Sequence, residues 1–199
     1  NYDLIKDIYV QIEPFKDRRA GKLSGGLKQK LALCCALIHR PSILFLDEPT
    51  TGVDTVSRKE FWDMLKRLKQ QGITIMVSTP YMDEATLCER IALMQSGKMM
   101  SIETPANIIK QFSNELFAVK SNHMSKLLTD LRSFEFIESC NAFGEFHHIS
   151  FQNNTNKKDQ LLHFLNAKNH QNIVLNSVTP SIEDCFIDLM KTQNERSSN

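Results

Sequence analysis

Two short apolar runs, SILFL at 42–46 and ITIMV at 73–77, do most to constrain this chain. Each has the length of one strand and is apolar almost throughout, the form taken by a strand buried on both faces. Between them Asp54 is placed to cap a helix with Phe61, Leu65 and Leu68 on its inner face, and Gly72 is placed to end it. Strand, helix and strand at this spacing predict a βαβ unit with parallel strands. Open α/β sheets place ligands at the C-terminal strand ends, and the first run meets that end with Asp47 and Glu48.

Helical spacing of Leu4, Ile5, Ile8 and Ile12 predicts a helix over 4–12. A second helix is expected over 27–39, with Leu27, Leu31, Cys34 and Ile38 on one stripe, until Pro41 stops it. After the βαβ unit a short helix is expected over 81–88, then strands at 91–94 and 98–102 turning at Ser96-Gly97. Thr104-Pro105 opens another short helix. From 115 the order reads strand (115–120), helix (123–132), strand (134–140), strand (144–151), helix (157–167), strand (172–177) and helix (181–190). That order resembles a split βαβ, ferredoxin-like module. Its last helix starts with Ser181-Ile182-Glu183-Asp184, a capping box, and presents Ile182, Phe186 and Leu189 on one face. Residues 152–158 read as a polar loop and 191–199 as a frayed tail.

Bulk properties exclude several classes. A formal net charge of +1 gives no electrostatic case for nucleic acid. No apolar run approaches the roughly 20 residues of a membrane span. The chain begins with Asn1 rather than Met, so the expectation is an excerpt of a longer protein. Five cysteines without a Cys-x-x-Cys pair read as reduced thiols, with Cys34 and Cys35 in a core. The histidines have no ligand spacing, and His147 and His148 read as surface or half-buried residues on opposite faces of a strand.

The candidate chemistry lies in three segments. Asp47 can hold Mg²⁺ through water, and Glu48 can take a proton from an attacking water. Phosphoryl transfer needs both roles, because the protein mainly positions groups and neutralises charge. Leu23-Ser24-Gly25-Gly26 precedes the 27–39 helix, and two glycines let backbone N–H groups approach an anion without hindrance from a Cβ. Taken singly, each segment is also what an ordinary strand end or helix cap looks like.

The combination is more specific. Leu23-Ser24-Gly25-Gly26, Gln29 and Lys30, then Leu44-Phe45-Leu46-Asp47-Glu48-Pro49-Thr50, then Thr51-Gly52-Val53-Asp54, continue into STPYMDEA and RIALMQSGK. In this order and spacing they closely resemble an ATP-binding-cassette (ABC) ATPase over residues 15 to 102. The resemblance implies a RecA-like, P-loop-NTPase α/β fold with a helical subdomain, incomplete at its N-terminus. It implies cassette residues 1–103, with 1–40 helical and 41–103 the core, and an accessory module over 104–199. It makes Leu23 to Leu27 the signature loop, with Leu27 where glutamine is usual. Asp47 becomes the Walker B aspartate (metal through water), Glu48 the catalytic carboxylate, and Gly52, Val53 and Asp54 part of the D-loop.

Two features depart from the family. No Gly-x-x-x-x-Gly-Lys-Ser/Thr phosphate cradle is present, and the resemblance places it before residue 1. The family usually has histidine after Ser-Thr, touching the γ-phosphate, whereas this chain has Pro80, with no side-chain donor and no N–H. The resemblance implies ATP and Mg²⁺ as cofactors, a second cassette (homodimer or tandem) and membrane-spanning permease subunits as partners, and no nucleic acid. It implies a cytoplasmic place on the inner face of the cell membrane. The accessory module is similar to the one in daunorubicin-resistance-type subunits, which favours a multidrug or ABC-2 type exporter whose ATPase is inactive in the fragment alone. The alternatives are a catalytically degenerate cassette that regulates an active one, a lineage variant in which Tyr81 or water replaces the histidine, and a non-transport cassette ATPase.

Overall fold

The computed structural model describes residues 2–152 and 155–197. The chain is α/β and divides into two compact units, Asn1–Leu87 and Cys88–Asn199.

In the first unit, α1 (Tyr2–Ile12) buries Ile5, Ile8 and Ile12. Helix α2 (Gly25–Leu37) follows, then β1 (Ile43–Asp47), α3 (Thr55–Gln70), β2 (Thr74–Ser78) and the single turn α4 (Met82–Ala85). Strands β1 and β2 pair in parallel, from Ile43 opposite Thr74 to Asp47 opposite Ser78. Leu44 is buried, and Leu46, Ile75 and Val77 pack partly buried against a core that includes residues of α1, α2 and α3. The predicted βαβ unit is therefore present.

Three packing expectations change. The buried ridge of α2 is Gly26, Lys30, Leu33, Cys34 and Leu37, while Ile38 is exposed and Leu27 and Leu31 are half-buried. Of the expected stripe, Cys34 is buried and Leu27 and Leu31 pack partly buried against the core, so only Ile38 fails; the most buried ridge runs one position earlier through Lys30, which carries no apolar signal. Lys30 is accommodated because its Nζ donates to Gln11 Oε1 and Glu60 Oε2, both at 2.7 Å, tying α2 to its neighbours. The strands are also not buried on both faces. Phe45 is 70% exposed, and its partner Met76 is 61% exposed. Helices cover one side of this two-stranded sheet, and an apolar run records an aversion to water rather than what covers it. The thiols differ too: Cys34 is buried and Cys35 is exposed.

The second unit opens with the antiparallel hairpin β3 (Ile91–Gln95) and β4 (Lys98–Glu103). Its turn takes Ser96 and Gly97 to φ of +48° and +73°, the twist a two-residue hairpin prefers. In α5 (Pro105–Gln111) the Thr104 cap accepts from the Asn107 amide. Then come β5 (Leu116–Lys120), α6 (Met124–Ser133), β6 (Ile137–Phe143), β7 (Phe146–Phe151), α7 (Lys158–Ala167), β8 (Val174–Val178) and α8 (Ile182–Ser197). The last four strands form an antiparallel sheet in the order β6-β7-β5-β8, which is the ferredoxin-like arrangement. Phe117, Val119, Ile149 and Phe151 meet Leu127, Leu131, Leu161 and Leu165 in one core.

The alternate strand face carries His148, whose Nδ1 bonds Asp184 Oδ1 of α8 at 2.9 Å. Ser181 and Asp184 form the expected capping box: the Asp184 amide donates to Ser181 Oγ, and the Ser181 amide donates to Asp184 Oδ2. The expected tail is not frayed from 191, since α8 runs to Ser197, and 198–199 lie outside the described residues. The loop expectation at 152–158 likewise includes 153–154, which lie outside them. His147 is buried rather than superficial, bonding the Met124 carbonyl at 2.8 Å. Leu165→Ala is expected to cost about 2–5 kcal/mol, read by urea unfolding. Phe45→Thr on the open face of the sheet is expected to stay within about 0.5 kcal/mol in the same measurement.

Candidate functional site

The parallel register sets Asp47 beside Ser78, and the Ser78 hydroxyl donates to Asp47 Oδ1. The Glu48 amide donates to the Ser78 carbonyl at 3.0 Å and to its hydroxyl at 3.1 Å. One serine on β2 thus fixes one acid by its side chain and the next by its backbone. Glu48 leaves the strand at φ +43°, a left-handed conformation uncommon for a residue with a Cβ. A turn holds it there: the Thr51 amide donates to the Glu48 carbonyl at 3.2 Å, and Thr51 Oγ1 donates to Glu48 Oε2 at 3.1 Å. Both acids are exposed at the C-terminal strand end.

Asp54 follows within the same loop. Its Oδ1 accepts from the Val56 and Ser57 amides at 3.1 and 2.9 Å, capping α3. These bonds, that from the Ser57 amide foremost, hold its carboxyl below the ordinary range for aspartate. Ser24 caps α2 similarly, its hydroxyl accepting from the Leu27 amide at 3.4 Å.

Gly25 and Gly26 do not precede α2; they form its first turn. A Cβ on Gly25 would lie 3.0 Å from the Gly52 carbonyl oxygen, and one on Gly26 would lie 2.8 Å from Ser57 Cβ and Oγ. The start of α2 therefore sits directly on the Gly52–Ser57 segment of the same chain. Sequence reasoning explained the glycines by ligand access or helix capping and missed this close approach.

Pro80 is exposed, two residues beyond Ser78. Tyr81 beside it is engaged, with the Arg58 guanidinium over its ring at 4.2 Å. Under this segment lies Glu84, only 2% exposed. Glu84 Oε2 accepts from Thr50 Oγ1 at 3.0 Å and Thr79 Oγ1 at 2.6 Å, while Oε1 accepts from Arg58 Nε at 3.0 Å. Burial pushes the Glu84 carboxyl up, but Thr79, Thr50, Trp62 and Arg58 together outweigh it and leave it below the ordinary glutamate range. The Trp62 indole contributes without a hydrogen bond of normal geometry. Glu84 carried no recognisable signal beyond its place in STPYMDEA, because one acid on a four-residue helix has no periodicity to betray it.

Residues 7–51 match the family described as ABC transporter. The probable multidrug ABC transporter ATP-binding protein YbhF of Escherichia coli (strain K12) is 35% identical over 184 residues, 92% of this chain and 31% of that protein. This chain is homologous to ABC transporter ATP-binding proteins. Another relative is the Nod factor export ATP-binding protein I of Neorhizobium galegae, 40% identical over 51% of this chain and 30% of that protein. The solved structure of cbiO1 from Clostridium perfringens, described as part of the ABC transporter complex cbiONQ, is 28% identical with a TM-score of 0.48, covering 55% of this chain and 45% of that one.

The chain thus spans about a third of the length of the curated relatives first named. The ABC match takes in Leu23 to Leu27, Asp47 and Glu48, and stops before Gly52, Val53, Asp54 and Pro80. Against the cofactors of the ABC family, the fit is partial. An exposed acid pair at a strand end suits a water-mediated Mg²⁺ and a proton acceptor. The glycine-rich cradle and lysine that would grip the phosphates of ATP occur nowhere in these 199 residues.

Gly26→Ala gains about 0.5–1 kcal/mol of helix propensity, but its overlap with Ser57 costs about 1–3 kcal/mol. Net destabilisation is therefore expected in thermal unfolding, with partial recovery in Gly26→Ala/Ser57→Gly. Glu84 also predicts a pH dependence. Its folded-state pKa is depressed, so its stabilising contribution is full above the ordinary value of 4.5 and is lost as pH falls through the folded value. The stability gap between the parent and Glu84→Gln is expected to be wide at neutral pH and to narrow in acid, as read by denaturation at both.

Proposed function

We propose that this chain supplies the hydrolytic acids and the signature loop of an ATPase subunit that powers an ABC-type exporter. The observation that carries the reading is the arrangement at the end of β1, where Ser78 bonds Asp47 and holds the Glu48 backbone, leaving both carboxylates in solvent. The relatives named for multidrug transport and Nod factor export favour an exporter.

In this reading Asp47 holds Mg²⁺ through water, and Glu48 accepts the proton of the attacking water. When bound, Mg²⁺ neutralises charge that develops on the phosphate oxygens. Leu23, Ser24, Gly25, Gly26 and Leu27 present the amide-rich start of α2 to the triphosphate of a second cassette. Gly52, Val53 and Asp54 support that surface from beneath. Residues 1–103 form the cassette part and 104–199 an accessory module for assembly or regulation.

The partners are a second cassette and membrane-spanning permease subunits. No helix among the described residues is long and apolar enough to cross a membrane. The place of work is the cytoplasmic face of the cell membrane.

Pro80 favours a second reading, a slow cassette that regulates a competent partner. A lost charge-stabilising donor slows other enzymes by about 10²–10³-fold, and Tyr81 is already occupied by Arg58.

The test is ATP turnover by the intact protein. Glu48→Gln is expected to lower kcat about 10²–10⁴-fold, and unchanged turnover would remove Glu48 from the chemistry. Pro80→His is expected to raise turnover, and no change would sink the slow-cassette reading. Calorimetry of these 199 residues with Mg-ATP is expected to show no micromolar affinity.

A further inference from the structure

The turn that carries Glu48 and the segment that carries Pro80 belong to different strands, and something must hold them in fixed relation. The backbone does so at Ser78, whose carbonyl accepts from the Glu48 amide. Beyond that point both segments converge on one side chain.

We propose that Glu84 is the positioning residue of the acid site, a buried carboxylate that locks the Glu48 turn to the Pro80 segment and both to α3. The inference rests on the reading of Glu48 as the hydrolytic base. Thr50, two positions after Glu48, and Thr79, immediately before Pro80, donate to the same oxygen, Oε2. Thr79 Oγ1 in turn accepts from the Tyr81 amide at 3.1 Å, so the bond to Glu84 also orients the backbone just past Pro80. Oε1 takes Arg58, whose guanidinium covers the Tyr81 ring. The neighbouring Asp83 reaches the same arginine at 3.3 Å, but its side chain stands in solvent and it shares neither threonine.

An ionised carboxylate suits this place because it only accepts, and Thr50, Thr79 and Arg58 all donate to it. A glutamine keeps the size but removes the charge that faces Arg58, and its NH₂ either meets the arginine as donor against donor or forces both threonine hydroxyls to turn and accept. A buried ion pair by itself is weak evidence for stability. Here, however, Thr50 and Thr79 belong to the segments that flank the chemistry. Glu84 touches no reacting group in this scheme; it acts through Thr50 and Thr79. A displacement of about 1 Å at a reacting group costs up to 10²-fold in rate, so loosening this clamp is read in kcat before KM.

The experiment uses the intact protein and compares Glu84→Gln, Thr79→Val, Thr79→Ser and Leu65→Ala, the last a core change that loses stability without touching the clamp. Below all melting transitions, Glu84→Gln and Thr79→Val are expected to lower kcat about tenfold or more with KM little changed. Thr79→Ser restores kcat, Leu65→Ala keeps it, and Thr79→Val adds nothing to Glu84→Gln. Without nucleotide, hydrogen exchange at Thr51, Val53 and Tyr81 is expected to speed up together in Glu84→Gln and not in Leu65→Ala. If Glu84→Gln behaves as Leu65→Ala does in both rate and exchange, Glu84 is only a structural ion pair and the inference falls. If Glu48→Gln abolishes turnover while Glu84→Gln retains it, this inference falls alone. If Glu48→Gln leaves turnover unchanged, the reading of Glu48 falls and takes this one with it.

Discussion

Five residues of parallel pairing, Ile43–Asp47 against Thr74–Ser78, support everything at the acid site. Because the register brings Asp47 opposite Ser78, one hydroxyl lies within reach of both the Asp47 carboxylate and the Glu48 amide. A shift by one residue would turn Leu44 and Leu46 away from the helices and carry Asp47 to the other face. The turn after Glu48 then delivers Thr50 to Glu84, Asp54 to the start of α3, and Gly52 and Ser57 to the glycines of α2. Strand pairing, helix capping and glycine packing thus form a sequence of dependent steps.

Buried charge follows a common pattern in both units. Lys30, Glu84, Asp130 and Asp184 are all buried, and each has an oppositely charged or imidazole partner. His170 bridges Asp130 and Ser121, at 2.9 and 3.2 Å, joining the connection after β5 to the one before β8. Removing one member of such a group leaves the other without its bond in a poorly solvated place. These groups lie where elements meet, and they add to the apolar cores a directional demand that Leu and Ile cannot make.

The element order was legible from the sequence because apolar period and caps act locally. The strand runs, the caps Ser24, Asp54, Thr104 and Ser181, and the Ser96-Gly97 turn all have a signature within a few residues. The acids were legible for the same reason, as the end of an apolar strand. Features that depend on distant partners were not. Lys30 is buried only because Gln11 and Glu60 reach it, so the most buried ridge of α2 was missed while its flank at Leu27, Leu31 and Cys34 was found. Glu84 matters because Thr50, Thr79 and Arg58 converge on it from three segments. The glycines of α2 have a steric reason visible only once Gly52 and Ser57 are beside them. Phe45 and Met76 were expected to be covered on composition alone, which says nothing about the neighbouring layer.

In the proposed reading, the pair at the end of β1 faces the reacting end of a nucleotide. A structure of the intact protein with Mg²⁺ and a non-hydrolysable ATP analogue tests it most directly. The Asp47 carboxylate is expected to reach the metal through water, and Glu48 to contact a water placed to attack the γ-phosphate. A bound nucleotide whose γ-phosphate lies away from both carboxylates would contradict it.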